Sequence, residues 1–407
     1  MTLLDKLCDP AVWEQYRQHL LSQDRLSEKE QSALDEYVEQ KRYLPLAQTL
    51  EFSLPSKKTI NKSGAAKKRV IYTFPSEQTY ILKLLTTLLY KYDSFFCDSC
   101  YSFRKGITAH TALKKLTRLP GLEKSWVLKL DIHNYFNSMP SKLLARELEN
   151  VITDDPPLLA FLADFFTADK ACSGETIIEE NRGAMAGVPL SAFCANLYLT
   201  DLDRLFEKMG ADYFRYSDDI LVLAHSKEKA MAYYDLIKTH VESKGLTLNP
   251  DKFTLTPPGD PWEFLGFRYH RGEIDLSDAA LRKMKSKIKR KAATLYRRKS
   301  KRGTDPDKAA SAMIKIFNKK FYFTDNKTDL NWSRWYFPLL TTHKRLAQLD
   351  RCLLEHIRFI YTGRHYKGNY RITYAHIKSL GFRSLVNEFY RPRQTPPSVQ
   401  RNDENES

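Results

Sequence analysis

The strongest constraint in this chain is an acidic turn set between two apolar arms: Tyr213-Phe214-Arg215-Tyr216, then Ser217-Asp218-Asp219, then Ile220-Leu221-Val222-Leu223. Such arms pair as a hairpin, and the turn then projects two adjacent carboxylates from the end of a sheet. A second segment has a complementary form. Trp126-Val127-Leu128-Lys129-Leu130-Asp131-Ile132 is a short apolar run ending in a carboxylate, as a buried strand presents an acid at its carboxyl end. Phosphoryl transfer with two metals needs carboxylates from separate segments converging on ions ~4 Å apart. One ion activates the attacking oxygen and the other stabilises the leaving one. Asp131, Asp218 and Asp219 are the candidates, and Mg2+ suits so small a carboxylate set, with phosphates and water completing its octahedron. An acidic turn alone is common on protein surfaces. The order and context of the whole set therefore carry the inference.

Composition narrows the partner. The chain has 407 residues, enough for two or three domains, with 42% apolar and 28% charged residues, a globular balance. Lys plus Arg is 65 against 49 for Asp plus Glu, a net charge of +16 that favours a polyanion such as nucleic acid. Aromatics reach 12%, which suits stacking on bases as well as core packing. No apolar run approaches ~18 residues, so no transmembrane helix and no membrane partner are expected. The segment Met1-Thr2-Leu3-Leu4-Asp5-Lys6 does not read as a secretory signal. Six cysteines in this length are no disulfide framework, and a cytoplasmic location is expected. Cys97-Asp98-Ser99-Cys100 lacks a second ligand pair for zinc and reads as two ordinary thiols.

Residues 1–50 read as an N-terminal helical extension, with Ser27-Glu28-Lys29-Glu30 opening a capped helix. Around Ser63-Gly64-Ala65-Ala66 the pattern predicts a hairpin with basic arms. Helices are expected over 76–92, 107–118, 141–150, 157–168 and 227–244, and one long helix from Leu190 to Phe206. Ile177-Ile178 and the aromatic cluster Trp262–Tyr269 read as strand-like. Between Arg282 and Arg302 there are many cations and no acid, while Leu281, Met284, Ile288 and Leu295 recur at helical spacing. That predicts an amphipathic helix with a basic outer face. Residues 393–407 read as a disordered tail.

Taken together, these motifs resemble those of reverse transcriptases. Leu130-Asp131-Ile132-His133-Asn134-Tyr135-Phe136 is similar to the family's first palm motif, an Asp followed five residues later by an aromatic. Tyr216-Ser217-Asp218-Asp219 matches its Tyr-x-Asp-Asp hairpin. Between them, Gly183, Gly187, Ser191 and Asn196 stand at the spacing of the Gly-x-Pro-Gln-Gly turn and the Ser and Asn that follow it. Met185 replaces the Pro and Ala186 the Gln. Lys68-Arg69-Val70-Ile71 and Tyr101-Ser102-Phe103-Arg104-Lys105-Gly106 resemble fingers motifs. Asn249-Pro250-Asp251-Lys252 and Phe264-Leu265-Gly266-Phe267 resemble the later palm motif and the primer grip. The resemblance runs collinearly over about 57–270.

It implies an α+β right hand: fingers over 51–125, a palm with an antiparallel sheet and helices on one face over 126–270, and a basic helical thumb and C-terminal region over 271–392. Asp131 and Asp218 would ligate the metals, Mg2+ or Mn2+, with the Ile132 carbonyl completing one shell and Asp219 supporting. Phe136 would be the steric gate that favours dNTPs. Lys62 and Arg69 would hold the triphosphate. Ala186 and Gly187 would lie beneath the nucleotide, the missing Gln removing a contact there. Lys252 would protonate the departing pyrophosphate or balance its charge, and Arg104 would touch template or nucleotide. On the basic helix, Lys285, Lys289, Arg290, Arg297 and Arg298 would contact phosphates.

No endonuclease, RNase H or integrase segment is visible. The segment Ala186–Phe193 and the ending over 374–390 are similar to bacterial enzymes of the abortive-infection and "unknown group" kind. Many of those act in anti-phage defence with a noncoding RNA encoded nearby. The expected activity is RNA-directed DNA synthesis, with a noncoding RNA as template and a nucleic-acid end or a protein hydroxyl as primer. Homo-oligomerisation is compatible with this. The competing readings are a retron-type enzyme, an RNA-dependent RNA polymerase (against which Phe136 speaks), a template-independent or protein-primed nucleotidyl transferase, and an RNA-binding scaffold without activity.

Overall fold

The computed structural model describes residues 1–22, 26–61, 68–322 and 331–391. Lys62 and the tail over 393–407 lie outside the described residues. The chain divides into two compact units, parted between Ala280 and Leu281.

The first unit is α+β. Its eleven strands among the described residues are β1 (Ser56–Asn61), β2 (Lys68–Thr73), β3 (Trp126–Asp131), β4 (Lys170–Ser173), β5 (Thr176–Glu179), β6 (Tyr213–Tyr216), β7 (Asp219–Ala224), β8 (Thr254–Thr256), β9 (Trp262–Phe264), β10 (Phe267–His270) and β11 (Glu273–Leu276). They form three sheets, ordered β2-β1-β4-β5, β6-β7-β3-β8 and β11-β10-β9. The second of these is antiparallel throughout.

Its strands form where the sequence alternates bulky apolar residues. Ile220, Val222 and Ala224 of β7 join the main core, while Leu221 and Leu223 are buried on the opposite face. The sheet is therefore covered on both faces, not on one as the resemblance implies, and the β7 run is apolar throughout for that reason. Helices Thr200–Lys208 and Ala109–Leu116 pack against β6, and Lys227–Ser243 against β3 and β7. Truncating a fully buried side chain such as Ile220 to Ala would cost about 2–5 kcal/mol.

Local signals set the boundaries. Ser27 and Glu30 form a reciprocal capping box at the helix Glu28–Glu39, and Thr108 caps Ala109–Leu116. The expected single helix over 190–206 is instead two, Ser191–Leu197 and Thr200–Lys208, because Leu199 leaves helical geometry at φ −120°. The cluster over 262–269 is two strands. Phe264 pairs with Phe267 across a two-residue turn in which Leu265 and Gly266 both have positive φ. This mirror-image turn matches strand twist but is usually built with Asn-Gly, so Leu-Gly hides it.

The second unit is helical among its described residues. The basic helix Asp278–Arg302 enters it and buries Leu281, Met284, Ile288, Ala292 and Leu295 along one side, as the periodicity predicts. Helices Pro306–Tyr322 and Lys344–Thr362 add Met313, Phe317, Leu349, Leu353 and Ile357 to a core. The buried Asp350 carboxylate accepts from Ser384 Oγ (2.6 Å) and from the Leu385 and Val386 amides (2.8 and 3.1 Å), closing the N-terminus of helix Leu385–Tyr390.

Candidate active site

The pairing of β3 with β7 places Asp131 directly opposite Asp219. Asp218 sits in the turn before β7, its carbonyl accepting the Ile132 amide at 3.2 Å. Three carboxylates from two segments thus meet at one end of one sheet. Asp131 is buried. Its side chain accepts from Asn249 Nδ2 at 3.2 Å and is ion-paired with the Lys252 ammonium, whose side chain is 41% exposed. The Asn249 amide donates to the Asp131 carbonyl at 2.7 Å, so the 249–252 segment is clamped to the end of β3.

Electrostatics mark this end as short of positive charge. The Asp218 carboxyl is pushed up to about 6, first by burial and then by the carboxylates of Asp219 and Asp131, with Lys252 opposing. Among the described residues no three His, Cys, Asp or Glu side chains are arranged to hold a metal ion as they stand. The donor set nevertheless fits one chemically. The oxygens are hard, they repel one another, and a lysine ammonium already stands in for a cation on Asp131.

The turn itself is strained and braced. Ser217 has φ +60°, and its amide donates to Ser102 Oγ at 2.9 Å. Ser102 Oγ donates to Asn196 Oδ1 at 2.7 Å, and Asn196 Nδ2 donates to the Ser102 carbonyl at 2.6 Å. Beneath lies a fully buried pair. Arg215 meets Asp203 through Nε (2.7 Å) and Nη2 (2.5 Å) and also donates to the carbonyls of Ala195, Asn196 and Ser217. Tyr213 Oη donates to the same carboxylate at 3.0 Å. Ser102, Arg215, Asp203 and Asn249 are functional supports that sequence reasoning does not assign. A charged residue inside an apolar arm is the one available signal for Arg215, since a buried guanidinium requires a carboxylate.

Phe136 is half-buried, with the rings of Phe103 and Tyr216 together forming an aromatic wall; both Phe103–Phe136 and Phe103–Tyr216 are 6.4 Å apart. The 183–187 turn packs between this segment and β2. The Ala184 amide donates to the Phe136 carbonyl (2.7 Å), the Ala186 amide to Asn137 Oδ1 (2.8 Å), and the Tyr72 amide to the Ala186 carbonyl (2.8 Å). A Cβ at Gly183 would overlap the Phe136 carbonyl, and one at Gly187 would stand 2.9 Å from the Tyr72 carbonyl. Close backbone approach, together with positive φ, requires glycine at both.

The remaining expected residues fall out unevenly. Arg69 is exposed on β2, next to Val70, whose carbonyl accepts from Asn137 Nδ2 at 3.1 Å. Gly187 is exposed, whereas Ala186 is buried with both backbone groups engaged, so it fixes the turn. Arg104 is held within the protein. Its guanidinium pairs with Asp93 and donates to the carbonyls of Asp93, Cys97 and Cys100, with its side chain only 7% exposed, so it ties a loop together and does not face outward. In the second unit Lys289, Arg290, Arg297 and Arg298 are exposed, while Lys285 is half-buried and donates to Gln348 Oε1 at 3.1 Å. The Lys287 ammonium titrates below its ordinary range, through partial burial and then through Lys320, Lys283 and Arg290.

A family model described as reverse transcriptase (RNA-dependent DNA polymerase) matches residues 60–269. The Retron Ec86 reverse transcriptase of Escherichia coli is 22% identical over 237 residues, covering 56% of this chain and 68% of that protein. Solved structures with similarity include the apo telomerase of Candida tropicalis (12% identity, TM-score 0.48, 82% of this chain and 60% of that one). The form truncated of its C-terminal domain gives 14%, 0.43, 56% and 55%. The chain therefore spans a little over half the length of these two structures.

Proposed function

The chain belongs to the reverse transcriptase (RNA-dependent DNA polymerase) family, and we propose that it copies RNA into DNA by a two-metal mechanism. The observation that carries this is the convergence of Asp131, Asp218 and Asp219 at one sheet end, with the Asp218 carboxyl pushed up to about 6 first by burial and then by its two neighbours. Bound Mg2+ or Mn2+ would supply the Lewis acidity for attack of the primer 3′-hydroxyl on the α-phosphorus of a dNTP. Asp131 and Asp218 would hold the ions, the Ile132 carbonyl would complete one shell, and Asp219 would support. Lys252, now paired with Asp131, would protonate the departing pyrophosphate or balance its charge once Asp131 held an ion instead. Phe136 would stand beneath the sugar and reject a 2′-hydroxyl. Arg69 would hold the triphosphate beside Gly187.

In this reading residues 51–125 serve as fingers, 126–270 as palm and 271–392 as thumb and C-terminal region. The exposed cations of the helix Asp278–Arg302 grip phosphates of the template–product duplex or of a structured RNA. The template is a noncoding RNA, the setting cytoplasmic, and the role anti-phage defence. The similarity to a retron enzyme supports a retron-type role as the second reading.

Sequencing the nucleic acid bound to the wild type and to Asp218→Ala/Asp219→Ala tests all of this. One RNA enriched on both proteins, with complementary DNA on the wild type alone, supports templated synthesis and identifies the template. DNA without complementarity makes the site a terminal transferase. Equal DNA on both proteins makes the chain an RNA-binding scaffold.

A further inference from the structure

We propose that the second unit carries its own site for unpaired nucleic-acid bases, a tyrosine platform over residues 364–378, apart from the phosphate-gripping helix. Tyr366, Tyr370 and Tyr374 are 50%, 62% and 43% exposed, three large aromatics within nine residues. Single exposed apolar side chains are ordinary, but a cluster of this kind marks an interaction surface.

The rings are held in place. A Cβ on Gly368 would run into the Tyr366 ring, which therefore lies against that backbone. The Arg358 guanidinium stands 4.9 Å from the centre of the Tyr370 ring, and Tyr374 meets Phe382 edge-on at 6.1 Å. Each ring thus has protein on one side and remains substantially open to solvent. The backbone between them is fixed by the buried Asn369, whose Nδ2 donates to the Arg364 carbonyl at 2.6 Å and whose Oδ1 accepts from Thr362 Oγ1 at 2.9 Å. A surface built before its ligand arrives loses little entropy on binding.

Charge selects the partner. From His356 to Asn387 the chain contains no Asp or Glu, while Arg358, Arg364, Lys367, Arg371, Lys378 and Arg383 are all basic. Carboxylates from outside the stretch bond to it at its margins: Asp307 accepts from Tyr361 Oη at 2.6 Å and meets His376 Nε2 at 2.9 Å, Asp350 holds Ser384 and the Leu385 and Val386 amides, and Glu388 pairs with Arg383. Aromatic faces between cations are the composition that binds single strands, with bases stacking on rings and phosphates meeting Lys and Arg. A protein interface would use tyrosine too, but it is depleted of lysine and has no need of an acid-free run. The chemistry shared by unpaired RNA and unpaired DNA is what this surface recognises. The inference goes beyond polymerisation and stands without it.

The test is fluorescence anisotropy on the full chain with labelled single strands of about 12 nucleotides, one of RNA and one of DNA, and with a paired hairpin. Variants are Tyr366→Leu/Tyr370→Leu/Tyr374→Leu and the matching triple Tyr→Phe, each also made in the Asp218→Asn background. Stacking predicts that the Leu set weakens single-strand binding by about 30-fold or more and hairpin binding by less than about threefold. The Phe set should bind like wild type, whatever the state of the polymerase site. RNA preferred over DNA would identify template or noncoding RNA as the source, and the reverse would identify product. Unchanged binding by the Leu set overturns the proposal, as does an equal loss in the Phe set. Unchanged binding together with loss of a copurifying protein would make the surface a protein interface and likewise refute it.

Discussion

Asp218 carries negative charge where burial and two neighbouring acids oppose it, and that opposition can be measured as stability. Its folded-state pKa of about 6 lies above the ordinary aspartate value of 3.8, so the native chain binds a proton that the unfolded chain releases. The contribution of this proton is fully present below pH 4 and is lost as pH rises through 6. In the presence of a chelator, Asp218→Asn should therefore be more stable than wild type at pH 7.5 by about 1–3 kcal/mol, with the difference closing near pH 4. Denaturant titrations at both pH values check this. A divalent cation should shrink the gap by stabilising only the wild type. The opposite logic governs Arg215 and Asp203, both fully buried and paired. Asp203→Asn leaves a buried guanidinium short of a partner and should cost about 3–5 kcal/mol. Replacing both residues by apolar ones should cost distinctly less than two such losses, a coupling that a double-mutant cycle would expose.

At the scale of the element, the Tyr-x-Asp-Asp hairpin combines cheap strands with an expensive turn. Ser217 sits in left-handed geometry, and its buried hydroxyl has no hydrogen-bond partner among the described residues. Ser217→Gly removes both penalties and should raise stability by about 1 kcal/mol while loosening the carboxylates, so turnover should fall as the melting temperature rises. Ser102→Ala acts from the other side. It leaves the buried Ser217 amide unpaired and should cost about 1–3 kcal/mol and lower turnover, with little change in the KM for dNTP. Steady-state kinetics and thermal melts on the two variants separate strain from bracing. The strands of this hairpin are legible in the sequence because bulky apolar residues flank a turn composition. The bracing is not. Ser102 and Asn196 are 94 residues apart, and nothing local in either segment announces that they meet. The break at Leu199 is equally silent, since an apolar run with no Gly or Pro gives a helix no reason to stop. The Arg104–Asp93 pair is silent too: nothing in the sequence of this loop shows that its basic residue is already partnered.

At the scale of the whole molecule, a net charge of +16 is an argument about partners and not about fold. Its distribution matters more than its sum. Lys289, Arg290, Arg297 and Arg298 are exposed on a helix whose other side is core, and Lys287 is already held below its ordinary pKa, first by partial burial and then by the cations around it. Like charges kept together at that cost gain when a polyanion arrives and releases its counterions. Each phosphate contact contributes about 0.9 to the slope of log affinity against log salt for a duplex. Replacing Lys289, Arg290, Arg297 and Arg298 by Gln should therefore flatten the slope by up to about 3.6, and should do so equally for all sequences, because phosphate contacts carry no sequence information. Binding isotherms at several salt concentrations on two unrelated hairpins measure this. A slope that does not change would move the electrostatic footprint off these four side chains. A change confined to one hairpin would mean that the helix reads bases rather than charge.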